Sequence, residues 1–322
     1  MLKKRPLGPL PGWLVGSTLE ICSLEAEMAQ WHARRPENAP GEFFVDARCI
    51  DCDQCRQIAP AVFHAYRGQA IVAHQPETPE QWRRAQMALL TCPTASIGTR
   101  HKQDLRAALA AFPELIAEDV YFCGFASERS FGASSYVIVR PRGNVLVDSP
   151  RFAMPLVRRL EAMGGIALMF LTHRDDVADH EKFRRHFGAR RILHQEDITP
   201  ATRDVEIVIR GREPVALDED LLVIPTPGHT RGHQVLLYRE RYLFSGDHLW
   251  GNDRGELVAS RHVCWYSWPE QVRSLERLLE FRFEWVLPGH GRRLHAPAER
   301  MRALLRECFE RARGPHALSS SC

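Results

Sequence analysis

Apolar and polar positions fall into two textures along the chain. Up to residue 40 the sequence is polar and punctuated, closed by Arg35-Pro36 and Ala39-Pro40, with room for one short helix over 20–34. From Gly41 to about Arg100, short apolar runs are set among cysteines. Residues 43–45 and 70–72 read as strands, and 79–90 as a helix opened by proline. Residues 102–118 read as a connecting helix interrupted by Pro113. From about Val120 strand and helix patterns alternate. Strands are predicted at 136–139, 145–147, 166–171, 191–193, 205–209, 221–224, 235–238, 242–244 and 285–287, and helices at 154–163, 179–187, 269–280 and 298–311. The run 166–171 is apolar at every position, which predicts a central strand covered on both faces. Paired short strands before and after it predict two sheets with helices outside. The predicted division is an extension 1–40, a cysteine-bearing module 41–100, a linker helix 101–119 and a large domain 120–322. No internal repeat is visible, and the run Ser319-Ser320-Ser321 is expected to fray.

Composition narrows the class. With 322 residues, 44% of them hydrophobic, the chain can bury the core of one large or two unequal domains. Its 43 basic and 40 acidic side chains leave a net charge of +3, against a disordered chain or a nucleic-acid binder relying on bulk charge. All but four of the basic residues are arginines, scattered as solvated pairs. No apolar run reaches the ~18 residues of a membrane span, and Pro6, Pro9 and Pro11 break any signal-peptide core. A cytoplasmic protein with no membrane partner is expected, its nine cysteines reduced, buried or ligating metal.

Four of those cysteines carry a message. Cys49-Ile-Asp-Cys52-Asp-Gln-Cys55 places three thiols two residues apart, on a loop able to wrap one face of a cubane. Where two-cluster ferredoxins continue to a Cys-Pro pair, this chain has Ala59-Pro60, and a Cys-Pro pair appears instead at Cys92-Pro93. That arithmetic gives one [4Fe–4S] cluster held by Cys49, Cys52, Cys55 and Cys92. A four-cysteine zinc site and a [3Fe–4S] cluster are the lesser alternatives, zinc because its ribbons use two separated C-x₂-C knuckles. With Ile58-Ala-Pro60, Val62-Phe63, Gly68 and Cys92-Pro-Thr-Ala-Ser-Ile97, the block resembles single-cluster bacterial-type ferredoxins over about 60 residues. Cys22, Cys123, Cys264, Cys308 and Cys322 have no partner at ligand spacing.

A second constellation lies at strand ends: Thr172-His173-Arg-Asp175-Asp176-Val-Ala-Asp179-His180, then Pro227-Gly-His229-Thr-Arg-Gly-His233, Ser245-Gly-Asp247-His248 and Pro288-Gly-His290-Gly291. Each group follows an apolar strand and is turned by glycine or proline, so the side chains can converge on one face. Imidazole and carboxylate together suit zinc, iron or manganese, and seven strong candidates suit two ions bridged by a carboxylate. Asp247, alone between histidine groups, is the natural bridge.

These motifs resemble the metallo-β-lactamase superfamily from Val120 onward. The resemblance implies an αββα metallo-β-lactamase-like sandwich of the α/β class, following an α+β ferredoxin-like module. It implies one metal set of His173, His229 and Asp175, a second of Asp179, His180 and His290, and Asp247 between them. Asp247 and Asp179 are the expected catalytic carboxylates. Asp175 stands where the family signature has histidine, and two extra residues precede Asp179, which leaves Asp175 and Asp176 as alternatives. His233 and His248 are expected to orient neighbours, and Asp148 to hydrogen-bond near the site. The segment 261–268, with Arg261 and Tyr266, is expected to wall a substrate pocket, whereas Ser127-Glu-Arg-Ser-Phe-Gly-Ala carries only a suggestive pattern.

A carboxylate in place of that histidine also resembles the flavodiiron proteins, and harder oxygen ligands favour iron or manganese. The preferred expectation is therefore an oxidoreductase with a diiron site fed by the cluster, acting on a small molecule and drawing on an external electron donor. The alternative is a hydrolase of a thioester, lactone or ester, with a structural or sensing cluster.

Overall fold

The computed structural model describes residues 28–314. The expected terminal serine run lies outside them, as does most of the expected helix 20–34, of which the described part is one turn, Trp31–Ala33.

The first sheet has seven strands in the order Ile207–Ile209, Arg190–His194, Leu168–Phe170, Val145–Val147, Tyr136–Ile138, Val120–Phe122 and Glu114–Ala117. Leu168–Phe170 pairs parallel with both neighbours. Parallel pairs need crossovers, and helices Met154–Ala162 and His180–Phe187 supply them. Leu156, Val157, Leu160 and Phe183 of these helices join the apolar cluster of the sheet. The second sheet has six strands in the order Val215–Ala216, Leu221–Pro225, Gln234–Tyr238, Tyr242–Gly246, Trp285–Pro288 and Leu294–His295. Tyr242–Gly246 and Trp285–Pro288 are parallel, joined through helix Trp268–Leu278. This helix and Ala298–Arg313 bury Leu275, Leu278, Met301 and Leu304 against Val235, Leu237, Leu243 and Val286. Alternate residues of the same strands, Leu236, Tyr238, Tyr242 and Phe244, turn inward to the first sheet's core, as the period of two requires. The result is the expected αββα sandwich.

The cysteine-bearing module pairs Phe43–Val45 with Ile97–Thr99 and folds Phe63–Tyr66 and Gln69–Val72 into a hairpin. Helix Pro79–Thr91 begins with proline and a capping box in which Thr78 and Gln81 satisfy each other's backbone amides. Its core is continuous with that of the sandwich, with Phe112 edge-on to Phe122 and Phe125 at centroid distances of 6.1 and 5.5 Å.

The predicted linker helix is corrected. Helix covers only Arg106–Ala110, and Glu114–Ala117 pairs with Val120–Phe122 as the edge of the first sheet. Pro113 cannot continue a helix, and the chain past it is only partly buried, as an edge strand is. Among the described residues no helix is long and apolar enough to cross a membrane.

Candidate metal centre and cluster cradle

Cys49, Cys52, Cys55 and Cys92 are free thiols lining a single cavity, closed by Val45, Ala70, Pro93 and Ile97. Asp51 and Asp53 adopt left-handed conformations, φ 59° and 65°, that curl the loop before helix Gln54–Ile58 begins. The Ala70 and Ser96 amides donate to the sulfurs of Cys49 and Cys92 at 3.3 and 3.2 Å. Burial pushes the Cys52 thiol up to about 12, and burial and the neighbouring cysteines raise Cys55 well above the ordinary range. Burial that disfavours a free thiolate is offset when the sulfur binds metal, and four sulfurs around one cavity suit an iron–sulfur cluster.

The second site stands where the parallel strands end, the usual ligand position in open α/β sheets. Asp148 follows Val145–Val147, His173 follows Leu168–Phe170, Asp247 follows Tyr242–Gly246 and His290 follows Trp285–Pro288. His229 is carried by the loop between Leu221–Pro225 and Gln234–Tyr238. Ligand atoms of His173, His229 and Asp247 lie within 4.8 Å of one another, and so do those of Asp176, Asp247 and His290. Asp247 thus belongs to both sets. Asp175 Oδ2 stands 3.9 Å from His173 Nε2 and 3.8 Å from His229 Nε2, on the same side as the first set.

Hydrogen bonds fix the imidazoles. Thr172 Oγ1 donates to Asp148 at 3.0 Å, so it accepts from His173 Nδ1 at 3.0 Å. His229 Nδ1 donates to the carbonyl of Val263. In each ring Nδ1 is thus committed, and both Nε2 atoms are buried without a hydrogen-bond partner, which points to a metal. Asp176 Oδ2 is likewise buried and unpartnered. His233 Nε2 accepts from the Asp247 amide at 3.2 Å, and its Nδ1 reaches Thr226 Oγ1 at 2.9 Å, so this histidine holds the Asp247 backbone. Gly289 leaves room for the charges: a Cβ there would lie 2.7 Å from Asp176 Oδ2 and 2.8 Å from Asp247 Oδ1.

Electrostatics agree with a cation site. Burial raises Asp148 to about 8 and Asp176 well above the carboxylate range. Burial opposes ionisation of Asp247 too, yet the charge and hydrogen bonds of His290 hold it far below its ordinary value. Burial would lower His290, but the charge and hydrogen bonds of Asp247 carry it up to about 10. His173 is held down at about 3 by burial, so it is a neutral donor.

Residues 171–290 match the metallo-beta-lactamase superfamily, and residues 45–99 match the 4Fe-4S single cluster domain of ferredoxin I. Residues 171–290 are thereby identified as a metallo-β-lactamase-superfamily domain. Hydroxyacylglutathione hydrolases of Buchnera aphidicola and Xanthomonas campestris are 26% and 29% identical over 143 and 148 residues, each 44% of this chain. The chain spans about half the length of these curated relatives, 56% and 54%. A beta-lactamase-like protein 2 homolog of Drosophila melanogaster is 37% identical over 75 residues, 23% of each chain. Among solved structures, an archaeal superfamily protein from Sulfolobus tokodaii aligns with 64% of this chain and 90% of its own, at TM-score 0.46 and 16% identity. The DIM-1 metallo-beta-lactamase aligns with 62% and 94%, at TM-score 0.49 and 19% identity.

The metallo-β-lactamase-like site departs from the expected ligand sets in its second half. Asp179 and His180, expected as ligands, face elsewhere. Asp179 accepts from the Phe152 amide at 2.9 Å and pairs with Lys182 at 3.0 Å. His180 Nδ1 meets the buried Arg191 guanidinium at 3.1 Å. Asp176 takes the place beside Asp247 and His290. The alternatives Asp175 and Asp176 both reach the site, one on each side of Asp247. In the sequence Gly289 reads only as a turn residue, and no local pattern marks the Val263 carbonyl.

Proposed function

We propose that the chain is a metal-dependent hydrolase of a thioester or ester, its cations held by His173, His229 and Asp175 on one side of Asp247 and by Asp176 and His290 on the other. The observation that carries this reading is the pair of buried, unpartnered imidazole nitrogens on His173 and His229, facing a carboxylate shared with a second set. The hydroxyacylglutathione hydrolases among the relatives support hydrolysis over the redox chemistry preferred from sequence. A divalent cation bound there supplies a Lewis acid and makes water acidic enough to ionise near neutral pH.

This chain's own residues do the rest. Asp148 and Thr172 keep His173 in the right tautomer, and the Val263 carbonyl does so for His229. Asp175 is half exposed, so it closes the first set toward solvent, where a substrate arrives. Trp265 and Tyr266 are exposed, their amides bonded to the His229 carbonyl at 3.0 and 3.1 Å, which plants an aromatic wall beside that ligand. Tyr266 also lines a cleft with His194, Arg231 and His233, a place for the substrate's leaving group.

The test is a panel of hydroxyacyl thioesters, lactones and simple esters, run with zinc-, iron- and manganese-loaded protein. Hydrolysis of one class, abolished in His173→Ala with the cluster intact, is the expected result. If no member is hydrolysed with any metal, while chemically reduced protein turns over with oxygen, the reading passes to the oxidoreductase alternative, for which Asp175 is the residue in favour.

A further inference from the structure

The segment 127–134 is absorbed by neither site, yet it touches both. Phe131 and Gly132 are both left-handed, φ 46° and 83°. On one side, a Cβ at Gly132 would lie 2.6 Å from Cys52 Cβ, 2.9 Å from its sulfur and 3.2 Å from Pro93. On the other side, the Phe131 carbonyl faces His290 Nε2 at 3.4 Å, and the Phe131 ring stands 6.1 Å from the His290 ring. One peptide unit, Phe131–Gly132, therefore spans from a cluster cysteine to a metal-set histidine.

That unit is clamped at both ends. Gln54, buried and only one residue from Cys55, donates through Nε2 to the Gly132 carbonyl and to Ser134 Oγ, each at 2.8 Å. The Ser134 amide donates to the Gly289 carbonyl at 2.7 Å, next to His290. Gln57 reaches past it to the Gly291 carbonyl at 3.0 Å. The chain following the first cluster cysteines is thus tied on either side of His290. The path between the two centres is therefore one peptide unit long, with Gly132 and Gln54 buried beside Cys52, so charge on one is felt at the other across a short distance.

We propose that the cluster and the metal sets are thermodynamically coupled across the Phe131–Gly132 peptide, with Gln54 as the positioning residue that keeps it seated. The inference rests on the reading of His173, His229, Asp247, Asp176 and His290 as metal-binding, and is independent of whether the reaction is hydrolytic. The cluster accepts one electron from a small one-electron donor, and no bond forms or breaks. The added negative charge favours a nearby cation, so the reduced protein binds metal more tightly. By reciprocity, metal loading raises the cluster's reduction potential by the same free energy. The redox state of the cell thereby tunes how fully the second site is loaded.

The experiment uses the holoprotein with its cluster assembled anaerobically, reduced with dithionite and followed by electron paramagnetic resonance during a redox titration. Zinc, which has no redox chemistry of its own, is the probe. Affinity for zinc is expected to rise about tenfold on reduction, which corresponds to a potential about 59 mV higher with zinc bound. Gly132→Ala drives a methyl into Cys52 and is prone to lose the cluster. Gln54→Leu is therefore the variant of choice: it should retain cluster and zinc while the zinc-induced shift shrinks. Zinc bound at full stoichiometry with an unchanged potential overturns the coupling alone. Zinc not retained by the wild-type protein overturns the metal reading and the coupling with it. An undiminished shift in Gln54→Leu overturns the role of the clamp.

Discussion

Replacing Arg191 tests which residues around 180 are structural. Its side chain is fully buried and holds three carboxylates: Glu206 at 3.1 Å, Glu181 at 2.8 Å and Asp204 at 3.2 Å. It also caps the Asp204 carbonyl at 2.8 Å and meets His180 Nδ1 at 3.1 Å. Arg191→Met keeps the stem and removes the charge. Removing one partner of a buried ion pair costs about 3–5 kcal/mol. The three carboxylates here are a quarter to a half exposed and rehydrate, which places the loss near the lower end, about 3 kcal/mol. Glu206 gives an independent bound. Burial raises its pKa, but bonds from the Arg191 side chain and amide and from Arg184 outweigh burial and lower it from 4.5 to about 2. At 1.36 kcal/mol per pH unit the ceiling on its share is again about 3 kcal/mol, and screening at its exposed edge reduces this. Because the folded value is depressed, that stability is fully present above pH 4.5 and is lost as pH falls toward 2. The variant should melt about 4–5 °C lower at pH 7, and its stability should fall less steeply between those pH values. The Arg191 amide and Arg184 still bind Glu206, so a residual slope remains. Circular dichroism melts over that range, with metal analysis, are the assay. A loss under about 1 kcal/mol refutes the network. Loss of C-terminal metal from a folded variant refutes the placement of His180 outside the site.

Other outcomes follow from the same geometry. Asp148→Asn should weaken metal binding by about 10–100-fold, since it disturbs the Thr172–His173 relay without touching a ligand; competition against a chromophoric chelator measures this. Asp176→Ala should lower the metal stoichiometry of the C-terminal domain, while Asp179→Ala leaves it unchanged, as elemental analysis of both will show. Cys52→Ala should remove the visible iron–sulfur absorption and lower stability, because the three remaining thiols then face the cavity without the cluster; unchanged sulfide and absorbance would contradict the cradle.

Chemistry set by near neighbours was readable along the chain. Cys49, Cys52 and Cys55 lie within one loop, so their spacing alone predicts a shared ligand. The apolar run around Leu168–Phe170 announces a buried parallel strand, and the His and Asp groups past such strands announce a site at their ends. The break at Pro113 is legible, but the strand Glu114–Ala117 is not, because an edge strand carries little apolar signal of its own. The choice among Asp175, Asp176, Asp179 and His180 depended on where helix His180–Phe187 begins and on what lies across from it. Arg191, on the next strand, captures His180, and the Phe152 amide and Lys182 capture Asp179, whereas the loop before the helix turns Asp175 and Asp176 to opposite sides of Asp247. The meeting of Cys52, Phe131 and His290 is of the same kind. The Phe131–His290 contact joins residues 159 positions apart. No local preference encodes such a contact; it exists because two sheets and a small module bury their apolar faces in one continuous core, bringing loops with no mutual sequence signal to the same place.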